Sequence, residues 1–213
     1  MAKKKYIQLP KGYISYSQIQ LWKADPERYK KIYFDARDEF RTTNKGMEYG
    51  KIVADALEKG YETGDLLTDT AMSLLPKYDV ADKEIVADLK TKHGWISILG
   101  RPDSMDSKTK SFFEFKTGKT KWTAAKAQAH PQMAFYGMLI WLAYKVVPEE
   151  SALVWIETEM TSEGIKPTGR IERFPVKITM KDILNTMAEI SRIAQEIEVA
   201  WASHITDPEL VNY

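Results

Sequence analysis

Apolar residues at helical spacing predict two amphipathic helices, one near each end of the chain. A stripe that advances by three or four residues predicts a long final helix over 180–205, and Thr179 with Asp182 has the spacing of the capping box that would begin it. This stripe consists of Ile183, Met187, Ile190, Ala194, Ile197 and Trp201. A second stripe predicts a helix over 46–60 that ends at Gly60. Its apolar positions are Ile52, Val53, Ala56 and Leu57.

The middle of the chain changes to the alternating pattern of β-strands. Apolar and polar residues alternate over 84–90 and again over 95–99, on either side of a His93-Gly94 turn. A third strand is predicted over 111–117. Because short turns join the three strands, we expect an antiparallel meander.

The second half of the chain predicts a crossover between strands. A helix over 131–144 separates the third strand from a fourth over 152–160, so these two strands should run parallel. A fifth strand is expected over 170–178, after a turn at 164–169, and a short helix over 70–75. The chain is therefore expected to have an α/β fold, in which helices flank one mixed central β-sheet made of the meander and a parallel crossover strand.

Length and composition are those of one folded domain. The chain has 213 residues, of which 44% are hydrophobic and 29% charged, which is too apolar for a disordered chain. We expect a single domain over 1–213, with 12–60 as an N-terminal helical part and 180–205 as the C-terminal helix. The chain contains no cysteine, which excludes disulfides, thiolate zinc sites and cysteine-ligated iron–sulfur clusters.

Charge and hydropathy narrow the cellular setting. The net charge is +1, so no global basic field favours nucleic acid, and any contact with it must come from a local patch. No apolar run reaches the length of a membrane span, and the lysines after Met1 lead into no hydrophobic signal core. A cytoplasmic protein without a membrane partner is the expectation.

Charged residues gather around the third predicted strand. Glu114 and Lys116 are two apart and project from one face of it, while Phe113 and Phe115 face the other way. A hairpin turn before this strand would bring Asp103 beside Glu114. Two carboxylates so close repel each other unless a cation lies between them, and an oxygen site that keeps its waters suits Mg²⁺ or Mn²⁺.

These residues resemble the motifs of a known family. Pro102-Asp103, ten further residues and then Glu114-Phe115-Lys116 resemble the signature of the PD-(D/E)XK nuclease superfamily. Gln132 and Tyr136, four apart on the predicted helix over 131–144, resemble the QxxxY motif of its RecB-like branch. The combination of both motifs in strand and helix contexts is much more specific than either one alone.

The resemblance implies a restriction-endonuclease-like core and a set of roles. Asp103, Glu114 and the backbone carbonyl of Phe115 would hold one or two Mg²⁺ or Mn²⁺ ions, and Lys116 would orient the attacking water or stabilise the transition state. Gln132 and Tyr136 would complete the catalytic set beside the metal site. The implied activity is a metal-dependent deoxyribonuclease, most simply an exonuclease of recombination, repair or phage DNA metabolism, that works without an iron–sulfur cluster. Its partners would be duplex or single-stranded DNA, with a homo-oligomer or recombination proteins left open.

One position departs from the family pattern. The RecB-like branch usually carries a metal-binding histidine in the helix over 46–60, and this chain has Ala54 in that slot. Glu58 fits the last acidic position of the pattern, and Glu48 and Asp55 are on the same predicted helix, so any of the three could supply a replacement carboxylate.

Several basic residues are candidates for DNA contacts. Lys119, Lys121 and Lys126 follow the third strand closely, and His130 precedes the helix over 131–144. Residues 26–34 combine aromatic and basic side chains, which suits either two small helices packed on the core or a DNA-facing lobe. These lysines do not form a nucleotide-binding loop, because Phe113 stands where that motif needs a glycine.

Three alternatives to an exonuclease remain open at this stage. The same fold could act as an endonuclease. Loss of the histidine at Ala54 could mark a catalytically decayed DNA-binding or assembly module. The motif spellings could also be coincidental in an unrelated α/β binding protein, although both motifs occur in the contexts they require.

Overall fold

The computed structural model of the protein describes residues 4–43, 45–75, 79–81 and 84–206, without the side chains of 57–59, 80 and 81. The helices are α1 (Tyr16–Ala24), α2 (Pro26–Tyr33), α3 (Lys45–Lys59), α4 (Leu66–Ser73), α5 (Ala124–Gln128), α6 (Pro131–Tyr144) and α7 (Met180–Ile205), with a short 3₁₀ turn at Asp38–Phe40. The strands are β1 (Ile14–Ser15), β2 (Val80–Ala81), β3 (Ile85–Lys90), β4 (Trp95–Gly100), β5 (Ser104–Met105), β6 (Phe112–Gly118), β7 (Ser151–Thr161) and β8 (Gly164–Pro175). No helix in the described ranges is long and apolar enough to cross a membrane.

The strands form two mixed sheets, so the predicted α/β class is confirmed and the single central sheet is wrong. The first sheet has the order β1-β4-β3, with β1 parallel to β4, and the second has the order β2-β5-β6-β7-β8. The predicted meander therefore breaks after its second strand, because β4 and β6 belong to different sheets. Pro102 follows β4 almost directly, and proline lacks the N–H that would continue a ladder.

The crossover from β6 to β7 is confirmed. The two strands run parallel, with Phe112 opposite Ser151, and α5 and α6 connect them. Helix α6 has the predicted bounds, as has α7, whose capping box between Thr179 and Asp182 is present.

Two predicted boundaries were wrong. Strand β8 begins at Gly164, six residues before the predicted start, because the turn lies between Thr161 and Gly164. Helix α4 begins at Leu66, where the Asp65 side chain accepts a hydrogen bond from the Thr68 N–H and caps the first turn.

Strands β6 and β7 form the wall between two hydrophobic cores. Phe112 and Trp155 belong to the larger core, which also contains α6 and α7, while Phe113 and Val154 belong to the smaller core beneath α3 and α4. Helix α6 has almost no polar face because it packs against β3, β4, β7 and α7. Side chains that follow Phe112 on the same face of β6 therefore point toward α6.

The end of β4 makes a close approach to α6 at Gly100. A Cβ atom at this position would lie 2.8 Å from Leu139 Cδ2 and 3.0 Å from Tyr136 Cε1, which is closer than carbon atoms pack. Any side chain at position 100 would therefore force neighbouring side chains of α6 to shift.

We predict that Gly100→Ala lowers the melting temperature by several degrees. Overpacking of this kind costs about 1–3 kcal/mol, and each kcal/mol shifts the melting temperature by about 2–4 °C in a chain of this size. The matched control is Gly50→Ala in α3, whose Cβ would make an ordinary 3.5 Å contact with Thr117 Oγ1. Thermal unfolding followed by circular dichroism measures the melting temperature of both variants. If Gly100→Ala melted at the same temperature as the wild type, the packing argument would be contradicted.

Candidate functional site

Strand β6 brings a carboxylate and an ammonium group together on one face. Glu114 is 3% exposed, and its Oε1 accepts a hydrogen bond from Lys116 Nζ at 2.7 Å. Phe113 and Phe115 project to the other face and pack in or against the smaller core. The predicted alternation along this strand is confirmed.

The predicted hairpin before β6 places Asp103 at the same point. Strand β5 pairs antiparallel with β6, with Ser104 opposite Phe113, and Asp103 Oδ2 accepts a hydrogen bond from the Phe115 N–H at 2.6 Å. Because the N–H and C=O of a strand residue point to the same side, the Phe115 carbonyl faces the edge on which Asp103 lies.

Without a bound cation, the ionised form of the Glu114 carboxyl group is electrostatically unfavourable. Its Oε2 is buried and has no hydrogen-bond partner among the described residues. Burial raises the pKa of Glu114 well above its usual range, the charge of Asp103 raises it further, and Lys116 opposes both effects. A proton or a cation between the two carboxyl groups would relieve this electrostatic penalty.

Helix α6 adds two polar side chains to the pair on β6. Gln132 Nε2 donates to Glu114 Oε1 at 2.5 Å and to Tyr136 Oη at 3.2 Å, while Gln132 Oε1 accepts from Lys116 Nζ at 2.8 Å. Tyr136 donates in turn to the Arg101 carbonyl at 2.8 Å, two residues before Asp103. Residues from three separate segments thus form one connected polar cluster.

A cleft of about 460 Å³ opens over the two carboxylates, and we call it the carboxylate cleft. It is lined by Gly46, Met47, Gly50, Val53 and Ala54 of α3 together with Asp103, Glu114, Phe115, Lys116 and Thr117. Ala54 therefore lies where the family resemblance expects a histidine, and the exposed methyl group of alanine offers no ligand.

Two of the three suggested replacement carboxylates, Glu48 and Asp55, do not line the carboxylate cleft. Glu48 is exposed and does not line the carboxylate cleft, because it lies two residues from both Gly46 and Gly50 and so on another face of α3. The side chain of Glu58 lies outside the described part of the structure. Within the described ranges, no group of three or more His, Cys, Asp or Glu residues could hold a metal ion.

The donor atoms that are present fit a divalent cation bound with few protein ligands. Asp103 and Glu114 supply two carboxylates, and the unpartnered Glu114 Oε2 is an oxygen ligand that no protein donor satisfies. Mg²⁺ in particular binds through one or two carboxylates and completes its shell with water and substrate phosphate oxygens.

A second cleft, of about 550 Å³, meets the polar cluster at Gln132 and Tyr136, and we call it the tyrosine cleft. Its other lining residues are Lys11, Tyr13, Ser15, Tyr16, Ser17, Gln18, Tyr33, Arg41, Glu84, Leu99, Gly100 and Arg101. The sequence patterns did not predict this cleft. Of the aromatic and basic segment 26–34, Tyr33 lines it.

The predicted DNA-contacting residues differ in their availability for such contacts. Lys119 is exposed after β6, Lys121 pairs with Glu172 at 3.1 Å, and Lys126 lies over the Trp122 ring. None of them lines either cleft, so their contact with DNA stays a prediction.

His130 is packed between aromatic rings and is electrically neutral at pH 7. Its ring centroid lies 5.1 Å from that of Trp122 and 6.4 Å from that of Tyr16. Burial, with smaller effects of Lys116 and Lys126, lowers the pKa of His130 to about 4. In the chain without bound DNA, His130 therefore carries no positive charge, and its DNA contact stays a prediction.

Comparison with known proteins supports the fold class and goes no further. No family model and no curated protein matches the chain. Among solved structures, the chain is similar to the crystal structure of SSO0001, with a TM-score of 0.51 and 15% sequence identity over 92% of this chain and 79% of that one. At this identity the similarity concerns the α/β fold alone.

We predict that Glu114→Gln makes the metal-free protein more stable at alkaline pH. The pKa of Glu114 is higher in the folded chain than in the unfolded chain, so the folded state binds the extra proton and stability falls as pH rises through the interval between the two values. Removing the ionisable group removes this fall. A gain of about 1 kcal/mol above the interval corresponds to about 2–4 °C in melting temperature.

Thermal unfolding in EDTA across a pH series measures this effect. Glu163→Gln, at an exposed turn between β7 and β8, is the matched control and should follow the wild-type curve. Adding Mg²⁺ should stabilise the wild type at alkaline pH and leave Glu114→Gln unchanged. If the pH dependence of Glu114→Gln and the wild type were the same, the electrostatic description of this site would be wrong.

Proposed function

We propose that the chain is a divalent-metal-dependent nuclease that hydrolyses phosphodiester bonds in DNA. The observation that carries the proposal is the polar cluster itself. Asp103, Glu114, Lys116, Gln132 and Tyr136 come from three segments and match two family motifs, and hydrogen bonds join them at one point. If the two motifs were present only by chance, there would be no reason for their side chains to lie together in the folded chain.

The chemistry requires a cation, and the two carboxylates with the Phe115 carbonyl are the groups that would hold it. Bound there, Mg²⁺ or Mn²⁺ would lower the pKa of water and neutralise charge on the attacked phosphate. Asp103 accepts the Phe115 N–H, which fixes its carboxylate against the edge of β6. Glu114 turns its unpartnered Oε2 away from the hydrogen bonds that hold Oε1.

Lys116 is the residue best suited to act on the reacting groups. Two of its three N–H bonds point to Glu114 Oε1 and Gln132 Oε1, which leaves the third for the attacking water or a phosphate oxygen. Gln132 is a positioning residue, since it holds both Lys116 and Glu114. Tyr136 fixes Gln132 and ties it to the backbone that leads into Asp103.

The finer assignments rest on the family resemblance. A restriction-endonuclease-like core agrees with the β6–α6–β7 crossover beside the site, and an exonuclease of recombination, repair or phage DNA metabolism is the closest functional parallel. The same site could instead have endonuclease activity. Assays on closed circular DNA distinguish the two activities, because an exonuclease leaves circles intact and an endonuclease cuts them.

One observation favours a second candidate, a DNA-binding module without catalysis. Ala54 lines the carboxylate cleft in place of a histidine, and the described residues offer two carboxylates where a third ligand would strengthen metal binding. Against this, the residues of the two motifs are all present, namely Asp103, Glu114, Lys116, Gln132 and Tyr136.

We predict that Asp103→Asn and Lys116→Ala each lower the rate of metal-dependent DNA cleavage by about 10²–10⁴-fold. The fold should persist, because both side chains lie at the cleft rather than inside a core. End-labelled linear duplex, linear single strands and closed circles, each with Mg²⁺, Mn²⁺ or EDTA, provide the assay, with Lys181→Ala on α7 as control. Wild-type cleavage by Asp103→Asn would refute this mechanism.

We predict that Ala54→His raises affinity for Mn²⁺, because imidazole in the carboxylate cleft adds a ligand to Asp103 and Glu114. Asp55→His is the matched control, since residue 55 is on the same helix but does not line the cleft. Calorimetric titration with Mn²⁺ measures the difference. If the wild type is inactive and Ala54→His cleaves DNA, the chain is a decayed nuclease; equal Mn²⁺ affinity in both histidine variants would contradict the assigned metal position.

A further inference from the structure

We propose that the tyrosine cleft holds one unpaired strand of the nucleic acid next to the reacting phosphate, so that the protein selects single-stranded or frayed ends. The inference rests on the proposed function, because it names the form in which the substrate reaches the site.

The position of the cleft is the first support. Gln132 lines the tyrosine cleft and bonds directly to Lys116, which lines the carboxylate cleft. The hydrogen-bonded pair Gln132 and Lys116 therefore lies between the two clefts. A strand whose phosphate reaches Lys116 would continue past Gln132 into the tyrosine cleft.

The charge of the lining is the second support. Lys11, Arg41 and Arg101 contribute three cations, and Glu84 is the one carboxylate among the lining residues. Arg101 pairs with Glu84 at 2.7 Å, and both side chains are about half exposed. Arg41 pairs at 2.7 Å with Asp38, which is 81% exposed. Exposed ion pairs are weak, so phosphate groups can compete for these guanidinium groups.

Aromatic side chains are the third support. Tyr13, Tyr16 and Tyr33 line the cleft and are half-buried. Because Arg41 lies over the Tyr33 ring, 5.1 Å from its centroid, base stacking is assigned to Tyr13 and Tyr16. Tyr16 packs on Phe135 with ring centroids 5.8 Å apart, and Tyr33 packs on Tyr29 at 4.6 Å. Burial, with smaller effects of Glu114 and Glu189, raises the pKa of Tyr16 to about 12, so its hydroxyl stays protonated and can donate to a base or phosphate.

The size of the cleft argues for an unpaired strand. At about 550 Å³ it has the volume of a small-molecule pocket, which accommodates single nucleotides. A double helix, whose major groove alone is about 12 Å wide, is too broad to be held inside this cleft. Duplex DNA would therefore have to open at its end before one of its strands could lie in the tyrosine cleft.

The test compares the wild type with the double variant Lys11→Ala/Arg41→Ala. Both side chains are exposed, so the fold should survive, and melting temperatures check this. A fluorescein-labelled single-stranded thymidine oligonucleotide is titrated in EDTA at several salt concentrations, and cleavage rates are measured on blunt and frayed linear duplexes with Mg²⁺. The control is Lys181→Ala/Arg192→Ala on α7, which removes two cations that line neither cleft. Tyr13→Leu tests stacking separately.

We expect the wild type to cut frayed ends faster than blunt ends. In Lys11→Ala/Arg41→Ala, oligonucleotide affinity should fall about tenfold or more, and the salt dependence of log K should weaken by about 1.4, because single strands lose about 0.7 per phosphate contact. Tyr13→Leu should weaken binding about tenfold with unchanged salt dependence. The preference for frayed ends should disappear in the double variant.

Unchanged oligonucleotide binding in both cleft variants, or an equal loss in the α7 control, would overturn the strand site. If the wild type cleaves DNA and the cleft variants cleave and bind as it does, the strand site is wrong and the nuclease stands. If the wild type cleaves nothing, while the cleft variants lose oligonucleotide binding, the nuclease is wrong and the strand site stands.

Discussion

The structure around the candidate site depends on one buried carboxylate. Glu114 is almost fully buried, and one of its oxygens accepts hydrogen bonds from both Lys116 and Gln132 while the other has no partner among the described residues. A buried carboxylate is costly unless it is paired and hydrogen-bonded. The described residues satisfy Oε1 of Glu114 with hydrogen bonds, whereas Oε2 is left for a proton or a cation.

The hydrogen bonds around Glu114 join three segments that are distant in the sequence. Helix α6 must lie close enough to β6 for Gln132 to reach Glu114, and the glycine at position 100 lets the end of β4 approach α6. Tyr136 then bonds to the Arg101 carbonyl and fixes the backbone before Asp103. The hydrogen bond from Tyr136 thus adds to the one from the Phe115 N–H in positioning Asp103.

Features with a local cause could be predicted from the sequence, and those with a distant cause could not. The bounds of α6 and α7, the two faces of β6 and the approach of Asp103 to Glu114 follow from periodicity, capping and turn chemistry. The division into two sheets depends on which strands pair, and no local pattern encodes that. The tyrosine cleft is even harder to predict, because Lys11, Tyr13 and Arg41 lie in short irregular segments. Lys11 and Tyr13 reach β4 only through the two-residue strand β1.

The absence of a histidine at Ala54 changes how the proposed nuclease would bind its cation. With two carboxylates and a backbone carbonyl as the ligands among the described residues, the proposed site would bind a divalent ion weakly, and protonation of Glu114 would compete with it. A substrate phosphate adds oxygen ligands and negative charge, so the cation and the strand should bind more tightly together than either does alone. A strand held in the tyrosine cleft would present that phosphate to the carboxylate cleft. In this arrangement, the phosphate of the bound strand would supply a metal ligand that a third protein side chain supplies in a more complete metal site.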